Sequence, residues 1–325
     1  MTRCVRQVVK LKLYLACLLM LSACTPESES LRVGAAPWPG FEPIYLAREM
    51  EYLNQERISL FELTSASHVA HSFEAGKLDV ALLSLDEVLT LITRGVNLKV
   101  IAIIDESVGG DAIIGLPGVT HIHHLKGKRI GYENNAAGSL LLAEALSHAN
   151  LAAHEVELVE VKLDEQRQVF HRSQVDALIT SEPVKQQLLG LGGVAIFDSS
   201  RLPGRIVNVM VASEQAIGAK SAMMVELLKG YYKARKFQKG RPKKAMQIMA
   251  IRLQLYTSEM ESSMQGVKFV EPVEAIMRLA GGAQSALITQ ARDLGELMVY
   301  RGMIEAVPDL SHLVHSQILE RVVYE

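Results

Sequence analysis

Beyond residue 30 the chain alternates short apolar runs with amphipathic stretches. The runs Leu31–Ala35, Ile58–Leu63, Val80–Leu83, Leu98–Ile104, Ile113–Leu116, Arg129–Tyr132, Val156–Val161, Ala177–Thr180, Ala195–Phe197 and Ile206–Ala212 read as strands, because brief apolar segments bounded by turn residues suit buried β-structure. Between them Pro43–Met50, His68–Ala75, Glu87–Arg94, Ser139–Ala149 and Pro183–Leu191 carry helical periodicity. This alternation predicts an α/β architecture with mainly parallel sheets. After Ser213 the strand pattern stops. Ser221–Lys239, Pro242–Leu253, Pro272–Leu279, Ser285–Arg301 and His315–Val323 then read as helices, two of them opening on proline, which tolerates the first helical turn.

The α/β part echoes itself at an offset of 97 residues. Arg32-Val33-Gly34 returns as Arg129-Ile130-Gly131, Phe73 as Phe170, Asp79 as Asp176, Ser84 as Ser181 and Gly95 as Gly192. The matches fall at predicted strand starts, strand ends and a helix stop, so the pattern predicts two similar lobes.

In open sheets of this kind ligands bind beyond the carboxyl ends of the strands, where helix N-termini offer unpaired N–H groups. In the first lobe those ends are Trp38-Pro39-Gly40, Ser65-Ala66-Ser67 and Ser84-Leu85-Asp86; in the second they are Asn134 to Gly138, Asp164-Glu165 and Ser181-Glu182-Pro183. The candidate ligand-binding residues are therefore Trp38, Tyr45, Ser65, Ser67, Ser84, Asp86, Gly110, Asp111, Asn134, Asn135, Gly138, Glu165, Ser181, Glu182 and Asn208. Several also suit ordinary helix capping. Trp38, the only tryptophan, offers a flat face to a small organic ligand. The stretch Asp105–Asp111, with Gly109-Gly110, reads either as a crossing between lobes or as a turn within one sheet; a return crossing is placed near Asn208. The acids Asp86, Asp105, Asp111, Glu165 and Glu182 favour an amine, an aminopyrimidine or another donor-rich ligand over a simple oxyanion.

The first residues add a compartment. Arg3, Arg6, Lys10 and Lys12 precede the apolar stretch Leu13–Leu21, and Leu21-Ser22-Ala23-Cys24 reads as a lipoprotein processing box. Residues 1–23 are expected to be a cleaved leader and Cys24 the acylated (palmitate) N-terminus, with residues 24–30 as a polar tether. Lobe 1 is expected over 31–108 and 209–300, lobe 2 over 109–208, and a helical tail over 301–325. Cys4 and Cys17 leave with the leader, so no body thiol remains for a disulfide, a metal or a nucleophile. Loss of the four leader cations leaves 30 basic against 36 acidic residues. That acidic balance, without basic runs interleaved with aromatics, excludes a nucleic-acid binder.

Other signals point to no chemistry of their own. His121, His123 and His124 lack carboxylate or thiolate partners at metal-ligand spacing. The basic stretch Lys233–Lys244 suits the solvent face of two helices and their connection. There is no Gly-x-Ser-x-Gly elbow, phosphate loop or dinucleotide fingerprint. No catalytic residue, cofactor or metal is expected.

Trp38-Pro39-Gly40 with Pro43, Tyr45 and Ala47, Gly76-Lys77-Leu78-Asp79-Val80-Ala81, Leu125-Lys126-Gly127-Lys128-Arg129-Ile130-Gly131, and Val175-Asp176-Ala177 with Glu182-Pro183 occur in a characteristic order. In that order the chain resembles the type II periplasmic-binding-protein components of ABC importers, in the group for nitrate, sulfonate, taurine and thiamine-pyrimidine precursors. The resemblance implies a two-lobed α/β fold with an interlobe cleft, a helical C-terminal region and delivery of a small molecule to an ABC permease in the inner membrane. With the lipid anchor it implies a monomeric protein on the periplasmic face of a membrane. Input to a membrane sensor, and a pyrimidine-synthase-like enzyme, are the alternatives.

Overall fold

The computed structural model describes residues 30–133 and 135–324. The leader, Cys24 and most of the tether lie outside the described residues, as does Asn134. The first lobe opens with β1 (Leu31–Ala35), α1 (Glu42–Glu49), β2 (Ile58–Glu62), α2 (Ala66–Glu74), β3 (Val80–Ser84), α3 (Leu85–Thr93) and β4 (Leu98–Ser107). The chain then builds β5 (Asp111–Gly115), β6 (Arg129–Tyr132), α4 (Ala136–His148), β7 (Glu157–Glu160), α5 (Gln166–His171), β8 (Ala177–Ser181), α6 (Val184–Gly190) and β9 (Val194–Asp198). It returns as β10 (Val207–Ser213) and ends in α7 (Glu214–Gly240), α8 (Pro242–Leu253), α9 (Thr257–Gln265), β11 (Val267–Phe269), α10 (Pro272–Leu279), α11 (Ala286–Tyr300) and α12 (Gln317–Tyr324).

Two sheets result, ordered β2-β1-β3-β10-β4-β11 and β7-β6-β8-β5-β9. In each, the first three strands are parallel and the next strand, β10 or β5, is antiparallel to both neighbours. The reason is topological: each of these strands arrives from the other lobe. It enters its sheet at the end where the parallel strands finish and must run against them.

The echo at 97 residues has a physical basis. Asp79 accepts bonds from Arg32 N, Nε and Nη2 at 2.8, 3.0 and 2.7 Å, and Asp176 accepts from the same three atoms of Arg129 at 2.9, 3.1 and 3.3 Å. Each clamp locks the loop before a third strand to the start of a first strand, and so fixes register. Gly95 and Gly192 end their helices at φ +85° and +88°, a backbone conformation that favours glycine. Phe73 and Phe170 are both buried beneath their sheets.

Alternation along β5 sends Ile113 to one face of the second sheet and Ala112 and Ile114 to the other, where they join separate clusters. The first sheet shares one continuous core with the C-terminal helices. Three elements depart from the periodicity reading. β11 is a strand within the expected all-helical region, held by antiparallel pairing to β4; at three residues it is too short to show a period. α9, with the polar sequence Thr-Ser-Glu-Met-Glu-Ser-Ser-Met-Gln, forms because a Glu259 side chain accepts from Tyr256 N at 2.7 Å and Met260 and Ser263 are buried. α7 starts at Glu214, with a non-helical Lys220 immediately before the start expected at Ser221. Among the described residues no helix is long and apolar enough to cross a membrane.

Candidate functional site

The carboxyl ends of β1 and β3 from the first lobe face those of β6 and β8 from the second across a cavity of ≈ 80 Å³. Its walls include Trp38, Phe41, Ser84, Glu87 and Asn208 from one lobe and Asp111, Glu133, Asn135, Leu163 and Ser181 from the other. A separate groove of ≈ 440 Å³ lined by Ser67, His71, Arg94, Ser139 and Met303 shares Glu87 and Asn135 with the cavity.

One wall is built around Asp105, whose carboxylate accepts from Trp38 Nε1 at 3.1 and 3.2 Å and from Asn208 Nδ2 at 2.8 Å. These bonds hold the indole flat against the cavity. The far edge of its ring packs on Gly110, where any Cβ would overlap the six-membered ring. Burial pushes the Asp105 carboxyl up to about 7 despite both donors.

A second wall is the N-terminus of α3. Ser84 N and Oγ donate to Glu87 Oε2 at 3.0 and 2.9 Å, which completes a capping arrangement and leaves Glu87 half-buried in the cavity wall with Asp86 buried behind it. Burial raises Glu87 to about 8, with the Asp86 charge adding to the effect. Asp86 is only 1% exposed and is itself raised by burial, against the pull of Ser84 and of backbone N–H groups that include Ala137 of the opposite lobe. Its Oδ2 has no hydrogen-bond partner among the described residues.

From the second lobe, Asp111 lies at the start of β5 and is raised to about 6, by burial first and then by the charges of Asp86 and Glu182. Glu133 spans the mouth: it accepts from Ser67 Oγ at 3.1 Å across the lobes and from Asn135 Nδ2 at 3.2 Å, and burial raises it too. Asn135 Oδ1 in turn caps α4 by accepting from Gly138 N at 2.8 Å.

The crossing between lobes is the three-residue link after Ser107. Ser199 Oγ lies 2.8 Å from Ser107 Oγ and accepts from Gly109 N at 2.7 Å; Val108 N donates to Gly266 O at 2.9 Å. Lys185 Nζ donates to Gly109 O at 2.8 Å. A Cβ on Gly266 would come within 2.7 Å of Gly110 N, so the close approach of these backbones requires glycine.

The candidates therefore separate by position. Trp38, Ser84, Asp111, Asn135, Ser181 and Asn208 line the cavity, with Asp86 and Gly110 directly behind its surface. The rest lie elsewhere. Ser65 caps α2 by accepting from His68 N at 3.3 Å, and Ser67 is on the outer groove. Tyr45 is buried with Arg252 stacked 3.8 Å from its ring centre. Glu165 is exposed at the start of α5, and Gly138 serves the cap of α4. Glu182 faces the seam between α6 and α9, bonded to Gln186 at 2.9 Å and Ser263 at 2.9 Å. Glu87 and Glu133 line the cavity without having been candidates. Glu87 reads in sequence as the acid of a capping box, whereas Glu133 follows β6 at the position where Ala36 follows β1, a signal available from the 97-residue offset.

The model of the NMT1-like family matches residues 24–253. The chain belongs to the NMT1-like family. No curated protein sequence matches it. Among solved structures, the alkanesulfonate-binding protein SsuA from Xanthomonas axonopodis pv. citri, bound to MOPS, superposes with a TM-score of 0.72 at 16% identity, over 89% of this chain and 98% of that one. The zinc-bound ligand-binding component of an ABC-type import system from Staphylococcus aureus superposes at 0.75 with 13% identity, over 91% and 100% of the two chains. The desulfurization enzyme DSZB superposes at 0.65 with 15% identity, over 90% and 98%. These likenesses establish that this NMT1-like chain has the two-lobed fold of periplasmic binding proteins, a fold that also serves an enzyme.

Proposed function

We propose that the protein is an extracytoplasmic solute-binding protein, lipid-anchored through Cys24, that captures a small organic molecule between its lobes and delivers it to an ABC importer in the inner membrane. The observation that carries this reading is the cavity formed jointly by strand ends of both lobes, with Trp38 on one side and Asp111, Asn135 and Ser181 on the other. Lobes joined by short crossings can part to admit a ligand and close to exclude water from it. The likeness to sulfonate-binding and import-system proteins supports the same reading. In this role the protein acts as a monomer, and the tether raises its effective concentration near the permease.

The fold shared with a desulfurization enzyme favours catalysis as the second reading. Among the described residues the cavity offers carboxylates, serines and amides, with no cysteine or histidine in its walls. Native mass spectrometry of the purified protein, followed by a thermal-shift panel of amines, pyrimidines, sulfonates and oxyanions, separates the two. A bound solute at 100 times its Kd stabilises the fold by about 2.7 kcal/mol and is recovered intact. Turnover of that solute would establish the enzymatic reading instead.

A further inference from the structure

We propose that the solute is a compact organic cation, a protonated amine or an amidinium with at least two N–H donors, held by Asp86, Glu87 and Asp111. The proposal rests on the solute-binding reading above and adds the chemical class. Three observations lead to it.

The first is an unmet acceptor. Asp86 is 1% exposed, yet its Oδ2 has no partner among the described residues. The groups around that carboxylate, Ser84, Glu87, Ala137 and Asp111, all belong to the cavity walls. A buried carboxylate oxygen without a donor is costly and is satisfied by a ligand N–H.

The second is the balance of charge. Glu87, Asp111 and Glu133 line the space, with Asp86, Asp105 and Glu182 behind it. The cations packed against the same elements are already engaged. Lys185 donates to Gly109 O and lies 3.4 Å from Glu182, while Arg235 stacks 3.4 Å from the Phe269 ring centre and reaches Glu271 at 3.8 Å. At the mouth Glu133 also feels His68 and Asp164, which act on it in opposite directions. An anion finds no lysine or arginine among the described residues that line the space, whereas a cation supplies the counter-charge that lets these carboxyls ionise.

The third is size. At ≈ 80 Å³ the cavity is far below the 300–1,000 Å³ of pockets for drug-sized ligands. Only a few non-hydrogen atoms fit between the lobes as they stand.

One further property follows from this geometry. Carboxyls that burial keeps partly protonated near neutrality, Asp111 at about 6 and Glu87 at about 8, give up protons when a cation arrives. Cation capture is then accompanied by proton release, and affinity rises from pH 5.5 to 8.

Guanidinium, urea and nitrate are planar, near-isosteric molecules carrying one positive, zero and one negative charge, and they test the proposal directly. Isothermal titration of the full-length protein in detergent, with each probe and with methylammonium up to 10 mM, should show guanidinium or methylammonium binding at least tenfold more tightly than urea and nitrate. Asp86→Asn and Asp111→Asn should each weaken that binding 10- to 100-fold, with far-UV circular dichroism confirming the fold. Titration in buffers of different ionisation enthalpy should report proton release on binding, a readout independent of the variants. Nitrate or urea binding as tightly as the cations overturns the cation assignment and leaves the solute-binding reading intact. Failure of both cations at 10 mM also overturns it. The solute-binding reading itself falls only if the purified protein also carries no molecule and none of the wider thermal-shift panel stabilises it.

Discussion

The two Arg–Asp clamps are one motif placed in two environments, and the difference sets a quantitative expectation. Asp79 is 7% exposed at its side chain and holds Arg32 (34%) and, at 2.9 Å, Lys220 (12%), the residue at which α7 is non-helical. Asp176 is 26% exposed and holds Arg129 at 41%. Replacing either aspartate by asparagine preserves shape and an acceptor for the backbone N–H, and removes the charge. Removing one partner of a buried pair costs about 3–5 kcal/mol, and the half-exposed Arg32 places Asp79→Asn at the lower end, about 3 kcal/mol. The exposed pair is worth about 0–1 kcal/mol, so Asp176→Asn should cost about 1 kcal/mol. Urea unfolding followed by Trp38 fluorescence, which reports the first lobe, and by circular dichroism, which reports both, measures the two losses. Equal losses, or a larger one at Asp176, would refute the argument that burial and the additional lysine distinguish the clamps. Neighbouring charges and bonds lower the pKa of Asp79 in the fold. Its contribution is thus present above the unfolded value and is lost as pH falls through the lower folded one.

The cavity carboxyls have the opposite sign. Asp105, Asp111 and Glu87 are raised to about 7, 6 and 8, so the native state keeps protons that the unfolded chain releases near pH 4. The ligand-free protein should therefore lose stability from pH 4 to 8, by about 1.4 kcal/mol per pH unit for each proton retained, and Asp105→Asn should flatten the fall between pH 5 and 7 in thermal melts. Gly110→Ala should displace the indole that packs against it, quench or shift Trp38 fluorescence and weaken ligand binding at least tenfold, with an overpacking loss of about 1–3 kcal/mol in stability. An unchanged emission spectrum would mean that the ring does not depend on this glycine. Cys24→Ser should abolish palmitate labelling and move the protein from the membrane to the soluble fraction after cell lysis; retained labelling would disprove the lipid-anchor assignment.

By itself the sequence determined the two-lobed α/β architecture, because its information there is local. Apolar runs mark buried strands such as Val80–Ser84, amphipathic stretches mark the helices that cover them, and the recurrence of Arg32, Gly34 and Asp79 as Arg129, Gly131 and Asp176 marks repeated register contacts. Strand ends also directed attention to Trp38, Ser84, Asn135 and Ser181, since the carboxyl edge of a sheet is fixed once strand direction is known, and the segment between the lobes to Asp111. Tertiary structure alone decided which polar residues face the cavity and which complete a cap. Ser65 and Ser84 follow equivalent strands, yet one only caps a helix and the other also borders the cavity. Glu87 carries the signature of a capping acid and nevertheless lines the cavity, half-buried beside Asp86 and opposite Asn135 and Ala137 of the other lobe. Burial of a charge depends on what arrives from distant parts of the chain. Here Asp105, Trp38 and Asn208 meet across separations of 67 and 103 residues, and the burial that accompanies this encounter raises the Asp105 carboxyl against the pull of both donors.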